Sequence, residues 1–182
     1  HRLEDGKEIW RLGDLNPKDD RYNPTLRFVA SPVCTPDLIV VPSAKRGPVV
    51  GLKPEATGMV NAGNKYEQWR MNRGTPDVPC PLVHDGLVYL CAENGGLTCL
   101  DARTGKQRWK VQIADQKLDY TSTVAPVVVG NHILVGIGGD HLDNPGFLES
   151  RDPETGALQW KWWTTPRKGE PGIETWPDEY AS

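Results

Sequence analysis

Short apolar runs recur along the chain, and each is cut by a pair of turn-forming residues. Leu87-Val88-Tyr89-Leu90-Cys91 follows Asp85-Gly86, and Leu97-Thr98-Cys99-Leu100 follows Asn94-Gly95. Ala125 to Gly136 repeats the design around Gly130-Asn131, and Ser31 to Val41 repeats it around Thr35-Pro36-Asp37. Runs of this length, rich in β-branched residues and bounded by such pairs, read as strands joined in hairpins. No window shows the 3.6-residue spacing of an amphipathic helix. The pattern predicts an all-β fold.

A longer repeat lies over the hairpins. Leu100-Asp101-Ala102-Arg103-Thr104-Gly105-Lys106-Gln107-Arg108-Trp109 and Arg151-Asp152-Pro153-Glu154-Thr155-Gly156-Ala157-Leu158-Gln159-Trp160 both read Asp-x-x-Thr-Gly-x-x-x-Trp. Leu3 to Trp10 is a copy without the Thr, and a fourth copy, broken by an insertion, ends at Tyr66-Glu67-Gln68-Trp69. The four tryptophans are spaced 59, 40 and 51 residues apart. A four-stranded propeller blade takes about 40 to 50 residues. In the motif, Asp starts a tight turn by accepting from nearby amides, and Gly takes the left-handed position that closes it. The Trp then stands in the outgoing strand, where it can wedge between blades. The sequence therefore predicts a partial β-propeller of about four four-stranded blades, residues 1–182 forming one segment. Trp162 and Trp163 extend the last strand, and alternation points one of them inward.

Composition narrows the chemistry. The 182 residues are 37% hydrophobic and 25% charged, with a net charge of −3. No basic stripe is available to grip phosphates, which argues against nucleic acid as a partner. No apolar run is long enough for a membrane helix. Gly (19) and Pro (16) supply many turns, and Trp (7) outnumbers Phe (2) and Met (2), in keeping with a repeated structural use of indole. The chain opens at His1, so the natural start and any leader are expected to lie outside it.

Cys34, Cys80, Cys91 and Cys99 form no CxxC pair, which removes the common zinc and redox motifs. A two-residue hairpin at Asn94-Gly95 would pair Glu93 with Gly96 and put Cys91 and Cys99 on opposite faces of the sheet. All four thiols are expected to be small buried hydrophobes. His1, His84, His132 and His141 lack metal-ligand spacing, and His84 and His132 read as ordinary surface residues. There is no Gly-x-Ser-x-Gly elbow and no P-loop. Gly136-x-Gly138-Gly139 opens no helix, so it is not a dinucleotide loop.

The Asp-x-x-Thr-Gly-x-x-x-Trp repeats, with Pro-Val-Val-type strands before them, resemble the propeller repeat of proteins that bind pyrroloquinoline quinone. Residues 111–182 are more specific. Thr121 to Pro126, Val135 to Asp140, Gly146-Phe147-Leu148 and Gly169 to Trp176 are similar in order and spacing to quinoprotein alcohol dehydrogenases. Residues 1–110 look more like plainer blades of the same superfamily. The resemblance implies that Thr123 bonds the quinone. It also implies that Gly138 and Gly139 pack on the quinone and that Asp140 ligates its Ca²⁺ or lanthanide. The family's usual acid there is Glu, and Asp143 and Asn144 offer alternative oxygens.

The family's stacking Trp, in a Gly-Gly-x-x-Trp segment, has no counterpart in these residues, nor has its vicinal Cys pair or its catalytic Asp. The chain by itself is expected to hold at most one wall of the site and to be inactive. The resemblance further implies periplasmic or secreted placement and, in the full-length protein, a small alcohol substrate. The rival reading is a non-catalytic propeller that binds a protein partner or remaining blades, as the bacterial outer-membrane-assembly lipoproteins that share this repeat do. Glycine- and proline-rich Gly169 to Ser182 reads as an exposed loop.

Overall fold

The computed structural model describes residues 1–15, 27–45, 47–139 and 144–177. Among them the regular structure is β, with two one-turn 3-10 segments at Gln116–Leu118 and Ile173–Thr175. No described helix is long and apolar enough to cross a membrane.

Three four-stranded antiparallel sheets follow one another along the chain. Blade 1 comprises β2 (Val33–Cys34), β3 (Ile39–Val41), β4 (Val49–Leu52) and β6 (Glu67–Met71). Blade 2 comprises β7 (Leu82–His84), β8 (Leu87–Cys91), β9 (Gly96–Asp101) and β10 (Gln107–Gln112). Blade 3 comprises β11 (Val127–Val129), β12 (His132–Ile137), β13 (Phe147–Arg151) and β14 (Leu158–Trp163). Each is a simple meander, as expected of propeller blades.

The expected count of about four resolves, among the described residues, into three such sheets and one two-stranded ribbon. β1 (Trp10–Leu12) lies parallel to β5 (Gly58–Val60), a strand inside the insertion between β4 and β6. Trp10, Leu12 and Leu15 close over Val41, Val50, Leu52, Ala56 and Val60 on the outer face of blade 1. The insertion that breaks the repeat thus supplies the pairing partner for the first Trp strand.

The repeat works as a joint between blades. Asp101 accepts from the amide and hydroxyl of Thr104, and Asp152 does the same with Thr155. Gly105 and Gly156 close these turns at φ +66° and +72°. The Trp69 ring of blade 1 lies against Gly105 of blade 2, and the Trp109 ring of blade 2 lies against Gly156 of blade 3. Each indole Nε1 donates to the carbonyl three residues before that glycine, Trp69 to Ala102 at 2.7 Å and Trp109 to Pro153 at 3.0 Å. The buried N–H is thereby satisfied.

A register shift precedes each tryptophan, leaving Gln68, Arg108 and Gln159 as the extra residue. The shift aims the indole at the next blade. Its cross-strand partner is small each time: Gly51, Cys99 or Ser150. Two apolar clusters fill the joints. Leu38, Val40, Val49 and Trp69 meet Val88, Leu90 and Leu100 between blades 1 and 2. Tyr89, Leu97 and Trp109 meet Ile133, Val135, Ile137 and Phe147 between blades 2 and 3.

Two expectations about the cysteines are corrected. The turn after β8 is one residue longer than a two-residue hairpin, because Ala92, not Glu93, pairs with Gly96. Cys91 therefore faces Leu97 and Cys99 faces Tyr89, which puts both thiols on one sheet face and in one cluster. All four thiols are free, but only Cys91 and Cys99 are buried; Cys34 is exposed and Cys80 half-exposed.

Candidate functional site

In an antiparallel meander, the turn from second to third strand and the connection into the next sheet lie at one end. Thr123 precedes β11 and Gly138-Gly139 follows β12, so pairing of Val127 with Leu134 brings all three to the same end of blade 3. Thr123 and Gly138 are exposed and Gly139 is buried. Asp140 lies outside the described residues, as do His141 and Asp143.

The connection carrying Thr123 is pinned from both sides. Ser122 is buried, its amide donates to Glu93 O at 2.7 Å, and its hydroxyl meets the Cys91 thiol at 3.1 Å. On the blade 3 side, Asn144 donates to Leu118 O at 2.8 Å, and the Tyr120 hydroxyl donates to Pro145 O at 2.7 Å. Gly139 is pressed on the same return: a Cβ there would stand 2.0 Å from Asn144 O and 2.3 Å from Gly146 N. Thus Gly139, Asn144-Pro145 and the Thr123 connection form one braced unit, and Gly139 is obligatory for steric reasons.

Ser122 and Tyr120 were not singled out from the sequence. Nothing in its pattern marks a Tyr that reaches a loop carbonyl 25 residues away. Asn144 did figure, as an alternative metal oxygen, and its amide is instead used in the brace.

A cleft of about 540 Å³ lies along β14, lined by Trp162, Trp163, Thr164, Pro171, Thr175 and Trp176 among others. Among the described residues, neither Thr123 nor Gly139 lines it. Thr123 and Gly139 share the end of blade 3 at which β14 also finishes, and Thr164, which lines the cleft, donates its amide to Gly146 O beside Gly139. Gly169 to Trp176 is exposed or half-exposed, as its composition implied.

Behind the braced loop, blade 3 turns a charged group inward. Glu149 is 1% exposed and meets the Arg151 guanidinium at 3.1 Å, with Lys161 opposite it across the sheet. Burial pushes the Glu149 carboxyl above its usual range, and Arg151 and Lys161 pull it back. The Lys161 ammonium sits 3.4 Å from the Phe147 ring centre, and burial lowers its pKa. Among the described residues no group of three or more His, Cys, Asp or Glu side chains could hold a metal ion.

His132 is not the bare surface residue the sequence suggested. Its Nδ1 lies 2.8 Å from Ser150 Oγ and 2.6 Å from Gln159 Oε1.

Comparison with known proteins adds the family. A family model described as outer membrane protein assembly factor BamB matches residues 2–172. Quinohemoprotein alcohol dehydrogenase ADH IIB of Pseudomonas putida is 34% identical over 125 residues, covering 63% of this chain and 18% of that protein. Quinohemoprotein alcohol dehydrogenase ADH-IIG of Pseudomonas putida is 39% identical over 92 residues, covering 50% of this chain and 12% of that protein. A europium-containing methanol dehydrogenase superposes with a TM-score of 0.65 at 24% identity, over 87% of this chain and 27% of that one, which shows a shared fold. The chain spans less than a fifth of the length of the two curated relatives.

Proposed function

The chain belongs to the family described as outer membrane protein assembly factor BamB, whose model spans nearly all of it, and from that premise we propose that it is a segment of a quinoprotein alcohol dehydrogenase-like propeller contributing one wall of a quinone and metal site. The observation that carries this reading is the brace that joins the Thr123 connection to the Gly139 loop. A rigid end of a blade, with an exposed hydroxyl beside a side-chain-free backbone edge, suits a flat polar ligand.

In this reading Thr123 hydrogen-bonds the quinone, Gly138 and Gly139 form the surface it lies on, and Asp140 supplies a metal oxygen. Among the described residues, Thr123 offers an exposed hydroxyl and Gly138 an exposed backbone edge to such a group, while the buried Gly139 lets the Asn144-Pro145 return pack beneath them. When bound, pyrroloquinoline quinone with Ca²⁺ or a lanthanide would supply hydride acceptance from an alcohol, helped by metal polarisation of a quinone oxygen. This chain's own residues bind and orient. The catalytic base, the alcohol and periplasmic or secreted placement belong to the full-length protein and are proposed with it.

The test is a titration of the folded chain with pyrroloquinoline quinone, with and without Ca²⁺ or La³⁺, read by tryptophan fluorescence. Saturable, metal-dependent quenching that is lost in Asp140→Ala and weakened in Thr123→Val supports the reading. Absence of quenching leaves the second reading, a non-catalytic scaffold that binds protein, which the description of the matching family favours.

A further inference from the structure

In each blade the turn from first to second strand and the connection from third to fourth lie at one end, away from that of Thr123 and Gly139. At this end a groove of about 660 Å³ runs between blades 1 and 2. Its floor is the apolar cluster of that joint, through Leu38, Val83 and Ala102. The β2–β3 turn brings Asp37 to it, the β7–β8 turn His84 and Asp85, and the β9–β10 turn Arg103.

Strand order spreads these charges along the groove. β2 and β7 are the first strands of their sheets and lie side by side, so Asp37 and Asp85 stand at one end. Arg103 stands beyond the third strand of blade 2, about 10 Å away at two strand spacings. Its turn is held from blade 1: Gln68 Nε2 donates to Arg103 O at 2.9 Å, and Trp69 Nε1 to Ala102 O at 2.7 Å. Asp37 and Arg103 are both exposed. Among the described residues neither forms an ion pair, and Asp85 meets only its neighbour His84, at 3.2 Å. The third carboxylate, Asp101, is used within its own turn, where it accepts from the amide and hydroxyl of Thr104.

The equivalent place between blades 2 and 3 matches its own charges. Gly86 and Gly130 stand there where Asp37 and Asp85 stand in the first groove. Arg108 takes the place of Gln68, Glu154 takes the place of Arg103, and the two form an ion pair at 3.7 Å. The second joint thus closes without the acids and with the opposite charge at the Arg103 position. Asp37, Asp85 and Arg103 are therefore not needed to hold two blades together. They leave an apolar floor with unanswered negative charge at one end and unanswered positive charge at the other.

We infer that this groove binds a short zwitterionic peptide of dipeptide length. Its ammonium sits between Asp37 and Asp85, its carboxylate meets Arg103, and its apolar side chains lie on Leu38, Val83 and Ala102. An extended dipeptide spans about 7 Å, and the Asp and Arg side chains cover the rest of the interval. The charges are exposed, so each end contributes about fivefold, and binding is in the millimolar range. The groove is independent of the quinone reading.

The test is saturation-transfer NMR on the protein at its natural length, with leucyl-leucine as the probe. Transfer should saturate at millimolar peptide. Blocking either terminus, as the N-acetyl peptide or as the C-terminal amide, should weaken binding about fivefold. Asp37→Asn combined with Asp85→Asn should weaken leucyl-leucine by a similar factor and leave the N-acetyl peptide unchanged. Arg103→Gln should weaken leucyl-leucine and leave the amide unchanged. All three are exposed turn positions, and thermal melts check that the variants fold like the wild type. Absence of saturable transfer overturns the inference. So does equal binding of the blocked peptides, or variants that bind leucyl-leucine as the wild type does. The quinone titration reads the other end of the blades through Thr123 and Asp140, so either proposal can fail while the other stands.

Discussion

The indole of Trp69 occupies the space that a side chain at Gly105 would need, with a Cβ there only 2.6 Å from the ring. Gly105 also sits at φ +66°, where L side chains are strained. Backbone strain and overpacking therefore act together at this position. Gly105→Ala should cost about 3 kcal/mol. Gly130 gives the control, because it has φ +56° and open space around its missing Cβ. Gly130→Ala should cost about 1 kcal/mol from strain alone. Urea denaturation of the two variants would separate the terms, and equal losses would mean that the joint does not depend on this glycine.

The thiols should divide into two classes. Cys91 and Cys99 are fully buried in the joint between blades 2 and 3, and burial raises both, Cys99 to about 12. A thiol raised that far has almost no thiolate at neutral pH, and thiolate is the reactive form. Titration of the native chain with a disulfide reagent at pH 8 should label Cys34 quickly. Cys80 should follow more slowly, since its sulfur accepts from the Ser31 amide. Cys91 and Cys99 should react only after denaturation. Rapid labelling of all four would contradict the packing of that joint.

Asp101 links the repeat to pH. Thr104 hydrogen bonds hold its carboxyl below the usual carboxylate range. A carboxyl lowered in the folded state contributes stability that is present above its unfolded pKa and lost as pH falls through the folded value. Asp101→Ala should thus cost about 1 kcal/mol at pH 7, discounted for exposure. The gap to wild type should narrow as pH falls below the ordinary carboxylate range. Thermal melts from pH 7 to pH 3 would show the convergence, and a constant gap would assign the effect to the turn backbone instead.

The residues that were legible in the sequence are those whose role is local. Asp101, Thr104, Gly105 and Trp109 declare themselves because a turn of fixed length needs those types in that order, and the copy at Asp152 to Trp160 confirms the spacing. The hairpins at Asp85-Gly86 and Gly130-Asn131 fall where the pairs predict. What the pattern concealed depends on partners distant in sequence. The extra residue in the Ala92–Gly96 turn moved Cys91 and Cys99 onto one face, because Gly96 is free to pair either way. The parallel pairing of Trp10 with Gly58 comes from an insertion with no repeat signature. At the candidate site the sequence supplied Thr123 and Gly139 by resemblance but not Tyr120, whose carbonyl partner only the fold brings near.

Tyr120 offers the sharpest test of the braced loop. Its hydroxyl donates to Pro145 O at 2.7 Å, and its ring meets Phe147 edge-on at 5.7 Å. Burial raises the phenol pKa, so the hydroxyl stays a donor throughout the neutral range. Tyr120→Phe keeps the ring contact and removes only the hydrogen bond, leaving a carbonyl unpaired. The expected loss is about 1 kcal/mol in global stability. Hydrogen exchange should localise it: the amide of Gly146 and those of its neighbours should exchange faster, while amides of β8 and β9 should not change. If the loop orients a ligand through Gly139, the same substitution should weaken quinone-dependent quenching as well. Faster exchange with unaltered quenching would show that the brace is structural and that Thr123 acts without it. Unaltered exchange would mean that Asn144 alone, through its bond to Leu118, holds the loop.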